Sequence, residues 1–344
     1  MKVSVSHRPS AQWDAYVEAH PAASVYHRSC WVDIPRKAFR QPALYLEARD
    51  EAGALTGVLP LVRQPGIAGG CFLTSLPYFN YGGAVADSEE TAQALMLRAA
   101  QAGREQRASY VELRDVARHD GPWQLRTDKV SMILNLPADT QTLGKQIGAK
   151  LRSQIRRPER DGPQVRVGGA ELLGDFYAVF RRNMHHLGTP VLPLKFFRTV
   201  LQSAPAHCAI VCIQKDQQPM AAALLVLNGE LAEIPWACCL EQAKPLGYNM
   251  KLYWECLAFV IGKGCKRFDF GRSTPDSGTF RFKAQWGAAP LQLHWHRWTP
   301  TAERSAPANS SDDPTRTRAA NIWRRLPAFV ADCCGPLIAP RLPW

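Results

Sequence analysis

Apolar positions along this chain follow an order of elements that comes twice. The segments ALYLEARD (43–50) and LTGVLPLV (55–62) are rich in apolar residues and flank a turn at Gly53, which predicts a strand hairpin. Ahead of them, apolar residues from Trp13 through Trp31 to Phe39 predict helix. Behind them come the loop LPYFNYGG (76–83), a helix from Glu89 to Arg107 and the strand SYVELRD (109–115). The second half repeats this plan. Helices within 171–203 precede the strands CAIVCIQ (208–214), MAAALLVL (220–227) and LAEIPWAC (231–238), then a helix from Asn249 to Lys263 and the strand KRFDFGRS (266–273). The two hairpins are offset by about 165 residues and the two closing strands by about 157. The order predicts an α+β fold made by internal duplication, with two sheets that each combine antiparallel hairpins with a helix feeding a further strand.

Between the halves, Leu143, Ile147, Leu151 and Ile155 recur every four residues, with Lys145, Arg152, Arg156 and Arg160 on the opposite face. One basic helix is therefore expected over 140–157, capped by Asp139 or Thr140 and ended by Pro158 and Gly162. After Trp298 the segment 299–320 is rich in Pro, Ser, Thr and Asp and reads as a linker. Beyond it Ile322, Trp323, Leu326, Phe329 and Val330 form a helical apolar stripe beside Arg318, Arg324 and Arg325. The expected organisation is a first domain over 1–138, a basic connecting helix over 139–162, a second domain over 163–298, a linker over 299–320 and an amphipathic tail over 321–344. That tail either docks on the body or lies on an anionic membrane surface.

A chain of 344 residues can bury two cores. Its net charge of +12 is unevenly placed: residues 145–160 hold six Lys/Arg against one Glu, a local +5. Cations sharing a helical stripe without acid partners four residues away repel one another, and an anionic ligand would relieve them. An anionic, phosphate-bearing partner is the expectation. The longest apolar run, Met220–Leu227, has eight residues, far short of the roughly 18 of a spanning helix. The N-terminus lacks the apolar core of a signal peptide and carries Asp14 and Glu18, so a cytoplasmic location is expected. Cys208, Cys212, Cys238, Cys239, Cys256 and Cys265 lie in apolar stretches and read as free buried thiols. No Cys/His grouping has zinc spacing, and no metal is expected.

The densest chemistry lies in FDFGRSTPDSGTFRFKAQWG (268–287), directly after an apolar strand. Asp269 alternates with Phe268 and Phe270, so burying those rings on one face sends the carboxylate to the other, where it needs a partner. Arg272 is a near one. Lys283, between Phe282 and Trp286, is either a snorkelling surface lysine or a fixed cation aimed at a developing oxyanion or phosphate. His185 and His186 precede Gly188 and suit a helix C-terminus, His294 and His296 read as partly exposed strand residues, and Asn80-Tyr81-Gly82-Gly83 is turn chemistry. Nucleophile-elbow, P-loop, HExxH and double-glycine dinucleotide motifs do not occur.

These segments, with LGTPVLP (187–193), YHRSCWVDIPRKAF (26–39) and PYFNYGG (77–83), resemble the Fem-type aminoacyltransferases, and in particular the FemAB-related proteins associated with exosortase and extracellular polysaccharide loci of Gram-negative bacteria. The tail pattern WRRLP (323–327) followed by GPLI (335–338) is similar as well. The resemblance implies two tandem domains of the GCN5-related N-acetyltransferase fold. It implies transfer of an aminoacyl group from charged tRNA to an amine of a cell-wall precursor, without a metal or a permanently bound cofactor. Phe282 and Lys283 match the family's Phe-Lys pair, linked to stabilising the acyl-transfer transition state. Arg152 and Arg156 suit by character the basic residues that hold acceptor phosphates, and the family match gives Asn80 and Tyr81 a ligand-contact role. The chain departs from the family in having no helical coiled-coil arm for tRNA. It also departs from coenzyme A-dependent relatives, because KPLGYNMKLYW (244–254) has one glycine where a pyrophosphate-binding loop needs several.

The expectation is thus an acyl or aminoacyl transferase acting on an amine or hydroxyl of a peptidoglycan-like or extracellular polysaccharide precursor, nucleotide- or lipid-linked, at the cytoplasmic side. Lys283 and Asp269 are its catalytic candidates, and Arg152, Arg156, Asn80, Tyr81, Arg272 and Phe282 its substrate-binding candidates. The donor is aminoacyl-tRNA or acyl-CoA. A coenzyme A-dependent N-acyltransferase and an inactive glycan-precursor binding protein are the alternatives.

Overall fold

The computed structural model describes residues 1–67, 69–300 and 314–343. Two compact units form, one from Met1–Lys129 with the described parts of 292–310 and 337–344, the other from Val130–Leu291 with the described part of 311–336. The first unit begins with β1 (Lys2–Ser6), α1 (Trp13–Ala19), α2 (Ser29–Val32), α3 (Ile34–Phe39) and the hairpin β2 (Ala43–Arg49) and β3 (Leu55–Pro65). It continues through β4 (Cys71–Thr74), β5 (Val85–Ala86), α4 (Glu89–Glu105), β6 (Val111–Asp115) and β7 (Gln124–Arg126). The second opens with β8 (Val130–Asn135), α5 (Thr140–Gln146), α6 (Ala149–Arg156), β9 (Gln164–Gly168), α7 (Leu173–Leu187) and α8 (Leu194–Ser203). Then come β10 (Cys208–Lys215), β11 (Gln218–Asn228), β12 (Leu231–Cys239), α9 (Tyr248–Gly262), β13 (Arg267–Ser273), α10 (Gly278–Ala284) and β14 (Ala289–Gln292). The chain returns to the first sheet as β15 (His294–Trp298), and α11 (Pro314–Arg325) and α12 (Ala328–Ile338) follow.

The first sheet has the order β1-β2-β3-β4-β6-β15-β7 with β5 beside β3, and the second the order β14-β8-β13-β12-β11-β10-β9. Each holds a parallel pair beside antiparallel ones, β4 with β6 and β12 with β13. On one face of the first sheet Leu95, Met96 and Ala99 of α4 join Leu59, Leu61, Leu73 and Leu113 in a single apolar cluster. Ser88 caps that helix by accepting the Thr91 N–H at 3.2 Å, and Glu89 and Glu90 sit in its first turn, where the helix dipole favours acids. In the second unit Phe176, Phe180, Phe197 and Trp236 pack ring to ring, with Phe197 and Trp236 5.2 Å apart and near perpendicular. The repeated plan read along the chain is therefore two mixed sheets, each with its own core.

Several expectations shift. The unit boundary falls at Lys129/Val130 instead of 138, because β8 pairs with β13. Conversely β15, expected in the second domain, pairs with β6 and β7 of the first sheet. The basic helix is two helices inside the second unit: Ile147 and Gly148 are extended, and the Arg152 guanidinium donates to the carbonyls of Gly144 and Ile147, closing the end of α5. Its apolar stripe is nonetheless buried at Leu143, Ile147, Leu151 and Ile155, and Asp139 caps α5 at 2.7 Å from the Thr142 N–H. Of the expected linker, 301–313 lies outside the described residues, while 314–320 is already helical in α11. The tail is likewise two helices, parted at Leu326 and Pro327. His296 is buried, not partly exposed, with Nδ1 2.9 Å from Asp115 Oδ2.

Candidate active site

A wedge opens in the second sheet. β12 and β13 pair only through Leu231↔Arg267, Ala232↔Phe268 and Glu233↔Asp269, although β12 runs on to Cys239 and β13 to Ser273. Beyond that last rung β12 keeps β11 as its partner and β13 keeps β8. Two local features suit the parting. Pro235 has no N–H to give a ladder, and Gly271 takes φ +76° within an irregularity of the β13–β8 register. Pro235, Trp236 and Ala237 are only half-buried, although they lie in a central strand.

The last rung brings two acids together, both buried. Asp269 Oδ1 accepts from Ser131 Oγ at 2.6 Å and from the Gly271 N–H at 2.7 Å. Glu233, its rung partner, is 4% exposed. Just past the rung, Lys283 enters from α10, a helix whose N-terminus is fixed by Ser277 accepting the Phe280 N–H at 3.2 Å. Its ammonium donates to the carbonyls of Gly271 at 2.9 Å and Arg272 at 2.8 Å. An ammonium has three donors, so two lock its position and one remains for a ligand. Burial pushes the Lys283 amine down to about 8; Asp269 opposes this, Arg272 adds to it and Glu233 opposes it. Lys283 is thus a buried cation and not a snorkelling surface residue. Phe282 packs edge-on against Tyr253 at 4.9 Å, and Tyr253 stacks on Phe270 at 5.6 Å, forming an aromatic wall beside the wedge.

The wedge collects Asp269, Arg272, Phe282 and Lys283, all from one sequence cluster. Ser131, Glu233 and Tyr253 were not singled out from sequence. For Glu233 the signal was present, since an acid amid the apolar LAEIPWAC is the same anomaly that marked Asp269. Asn80 and Tyr81 lie in the first unit, each 8% exposed. Arg156 and Arg152 line a groove of about 440 Å³ with Gly144, Glu159 and Trp254. Arg156, Arg157 and Arg160 also line a wider neighbouring concavity of about 930 Å³. The N-terminus of α9, at Gly247, meets this segment: a side chain there would sit 2.6 Å from the Gln154 carbonyl and 3.2 Å from Pro158. The segment 154–158 therefore packs directly against the residue that opens α9.

Residues 147–284 match the family described as "Acetyltransferase (GNAT) domain". No curated protein matches the sequence. Among solved structures, FemX is similar with a TM-score of 0.64 at 13% identity, over 86% of this chain and 97% of that one. L-PGS from Bacillus licheniformis is similar with a TM-score of 0.56 at 12% identity, over 93% and 99%. A tandem GNAT protein from the clavulanic acid biosynthesis pathway is similar with a TM-score of 0.52 at 9% identity, over 87% and 98%. Residues 147–284 thus match a GNAT domain model, and the chain shares its two-sheet fold with FemX and with a tandem GNAT protein.

Proposed function

We propose that this protein is a Fem-like acyl or aminoacyl transferase that modifies an amine or hydroxyl of a phosphate-bearing cell-envelope or extracellular polysaccharide precursor on the cytoplasmic side. The observation that carries the reading is Lys283, a buried cation held on two carbonyls at the parting of β12 and β13 with one N–H left over. The acceptor's nitrogen or oxygen attacks the donor carbonyl and forms a new bond to carbon. The carbonyl becomes a tetrahedral oxyanion, and its collapse breaks the donor ester or thioester, whose leaving group takes up the proton the nucleophile gives up. A fixed ammonium stabilises charge that exists only in that transition state. Asp269, fully buried and accepting from Ser131 and Gly271, holds the bulge and balances the ammonium, which suits orientation better than proton transfer. Arg272 and Phe282 frame the site, and Arg156 with its neighbours grips acceptor phosphate; Asn80 and Tyr81 keep a ligand-contact role within the first unit.

Aminoacyl-tRNA is the favoured donor, because the segment 244–254 that opens α9 has one glycine where a loop cradling a coenzyme A pyrophosphate needs several. The test supplies aminoacyl-tRNA or acyl-CoA with a nucleotide-linked saccharide acceptor and follows the acyl mass on the acceptor. Transfer lost in Lys283→Ala supports the reading. Full turnover in that variant overturns the role of Lys283, and calorimetric binding of acetyl-CoA reverses the choice of donor. A glycan-precursor binding protein without activity would bind the acceptor in a salt-sensitive way with no turnover.

A further inference from the structure

The tail offers two faces with different chemistry. One is docked on the second unit: Arg181 Nη1 meets Asp332 Oδ2 at 2.6 Å, His185 Nε2 lies 3.0 Å from the Leu326 carbonyl, and Arg324 donates to the carbonyls of His186 and Leu187 at 3.1 and 3.2 Å. Gly188 and Gly335 lie so close to Ala320 and Val191 that a side chain at either would clash. The other face looks outward. Arg318, Ile322 and Arg325 fall on one side of α11 by their four- and three-residue steps, and Phe329 and Cys333, four apart, share a side of α12. All five are exposed, Ile322 by 65% and Phe329 by 71%. α11 has no acid, and Asp332 is turned to Arg181.

We propose that this outward face is a docking surface for an anionic lipid bilayer. Docking on the body and lying on a membrane, which the sequence alone sets against each other, use opposite faces of the same helices. Exposed Ile322 and Phe329 match the acyl boundary and Arg318 and Arg325 the headgroups. A protein partner would instead need a carboxylate-rich surface of its own around an apolar anchor. The proposal stands apart from the transferase reading, since it concerns partitioning and not turnover.

The test is co-sedimentation of the full chain with vesicles of equal parts phosphatidylglycerol and phosphatidylcholine, against vesicles of phosphatidylcholine alone. Binding is expected to the anionic vesicles only and to weaken as salt is raised. It should fall roughly tenfold or more in Ile322→Ser/Phe329→Ser and in Arg318→Ser/Arg325→Ser, with melting temperatures unchanged because these side chains are exposed. Arg156→Ser/Arg160→Ser should keep the binding. The proposal is overturned if the wild-type chain stays in the supernatant, if only Arg156→Ser/Arg160→Ser releases it, or if light scattering finds a dimer that Phe329→Ser dissolves.

Discussion

The two units meet the same structural problem in different ways. Each sheet has a parallel pair that stops early: β4 and β6 pair through Leu73↔Val111 and Thr74↔Glu112, as β12 and β13 pair through Glu233↔Asp269. In the first unit the chain after β4 turns back along β6. The Ser75 N–H donates to the Glu112 carbonyl at 2.9 Å, Ser75 Oγ accepts the Arg114 N–H at 2.9 Å, and the Ala84 N–H reaches Asp115 Oδ1 at 2.7 Å. Arg114 is buried there, donating to the Phe79 carbonyl at 2.8 Å and lying 4.6 Å over the Trp295 ring. In the second unit β12 runs on without returning, and Lys283 serves the carbonyls beside the gap. Loop and arginine close one wedge, while the other keeps a half-exposed strand and a cation with a donor to spare. A repeated fold can thus leave a candidate site open in one unit and fill the equivalent place in the other with packing.

Removing the buried cation of each unit breaks the comparison most sharply. Lys283→Ala should lower kcat by roughly 100- to 1,000-fold, as for loss of one oxyanion donor, whereas Arg114→Ala should cost about 1 to 3 kcal/mol of stability by removing the donor that serves the buried Phe79 and Leu76 carbonyls, Glu112 keeping Arg126 and Arg297. Steady-state rates and urea titrations of both variants decide; stability loss from Lys283→Ala larger than that from Arg114→Ala would invert the assignment. Next comes pH. Because burial lowers the Lys283 amine to about 8, the charged form fades as pH rises through that value, and a pH–rate profile should fall on that alkaline side if the ammonium stabilises the oxyanion.

Glycine substitutions sharpen the contrast at smaller scale. A side chain at Gly83 would stand 1.7 Å from Asp115 Oδ1, so Gly83→Ala should cost about 1 to 3 kcal/mol. Gly278 at the start of α10 meets nothing within 4 Å, and Gly278→Ala should be neutral or stabilising by up to about 1 kcal/mol. Chemical denaturation of the pair measures the difference. The smallest effect belongs to the thiols of the second unit. Burial raises Cys212 and Cys239 to about 12 and holds Cys238 well above its ordinary value of 9.0. Raised thiols contribute stability that is complete below the unfolded value and lost as pH climbs above it. Each should cost about 1 kcal/mol by about pH 10, and Cys212→Ala or Cys238→Ala should flatten that alkaline decline.

Much of this was legible in the chain. The α9 helix and the β13 strand fall within a residue or so of their expected places, because their apolar periodicity is set by local geometry alone. Asp269 and Lys283 stood out as charges amid apolar and aromatic residues, which is a compositional anomaly. Strand exchange was not legible. β8 and β15 have ordinary strand sequences, and nothing local says which sheet a strand will join, since pairing is chosen by long-range register. The break at Gly148 was hidden by a stripe that stays apolar across it, and depends on Arg152 reaching two carbonyls of the preceding helix.

By itself the sequence determined the elements, their duplicated order, the basic segment and the cluster at 268–287, all properties of residues near one another in the chain. Tertiary structure alone decided that Glu233 meets Asp269 on the final rung, that Ser131 supports it from a strand given up by the first half, and that Lys283 is buried and lowered toward neutrality. Those are matters of burial and of contacts between distant segments, and desolvation and ladder endings are not encoded at any single position.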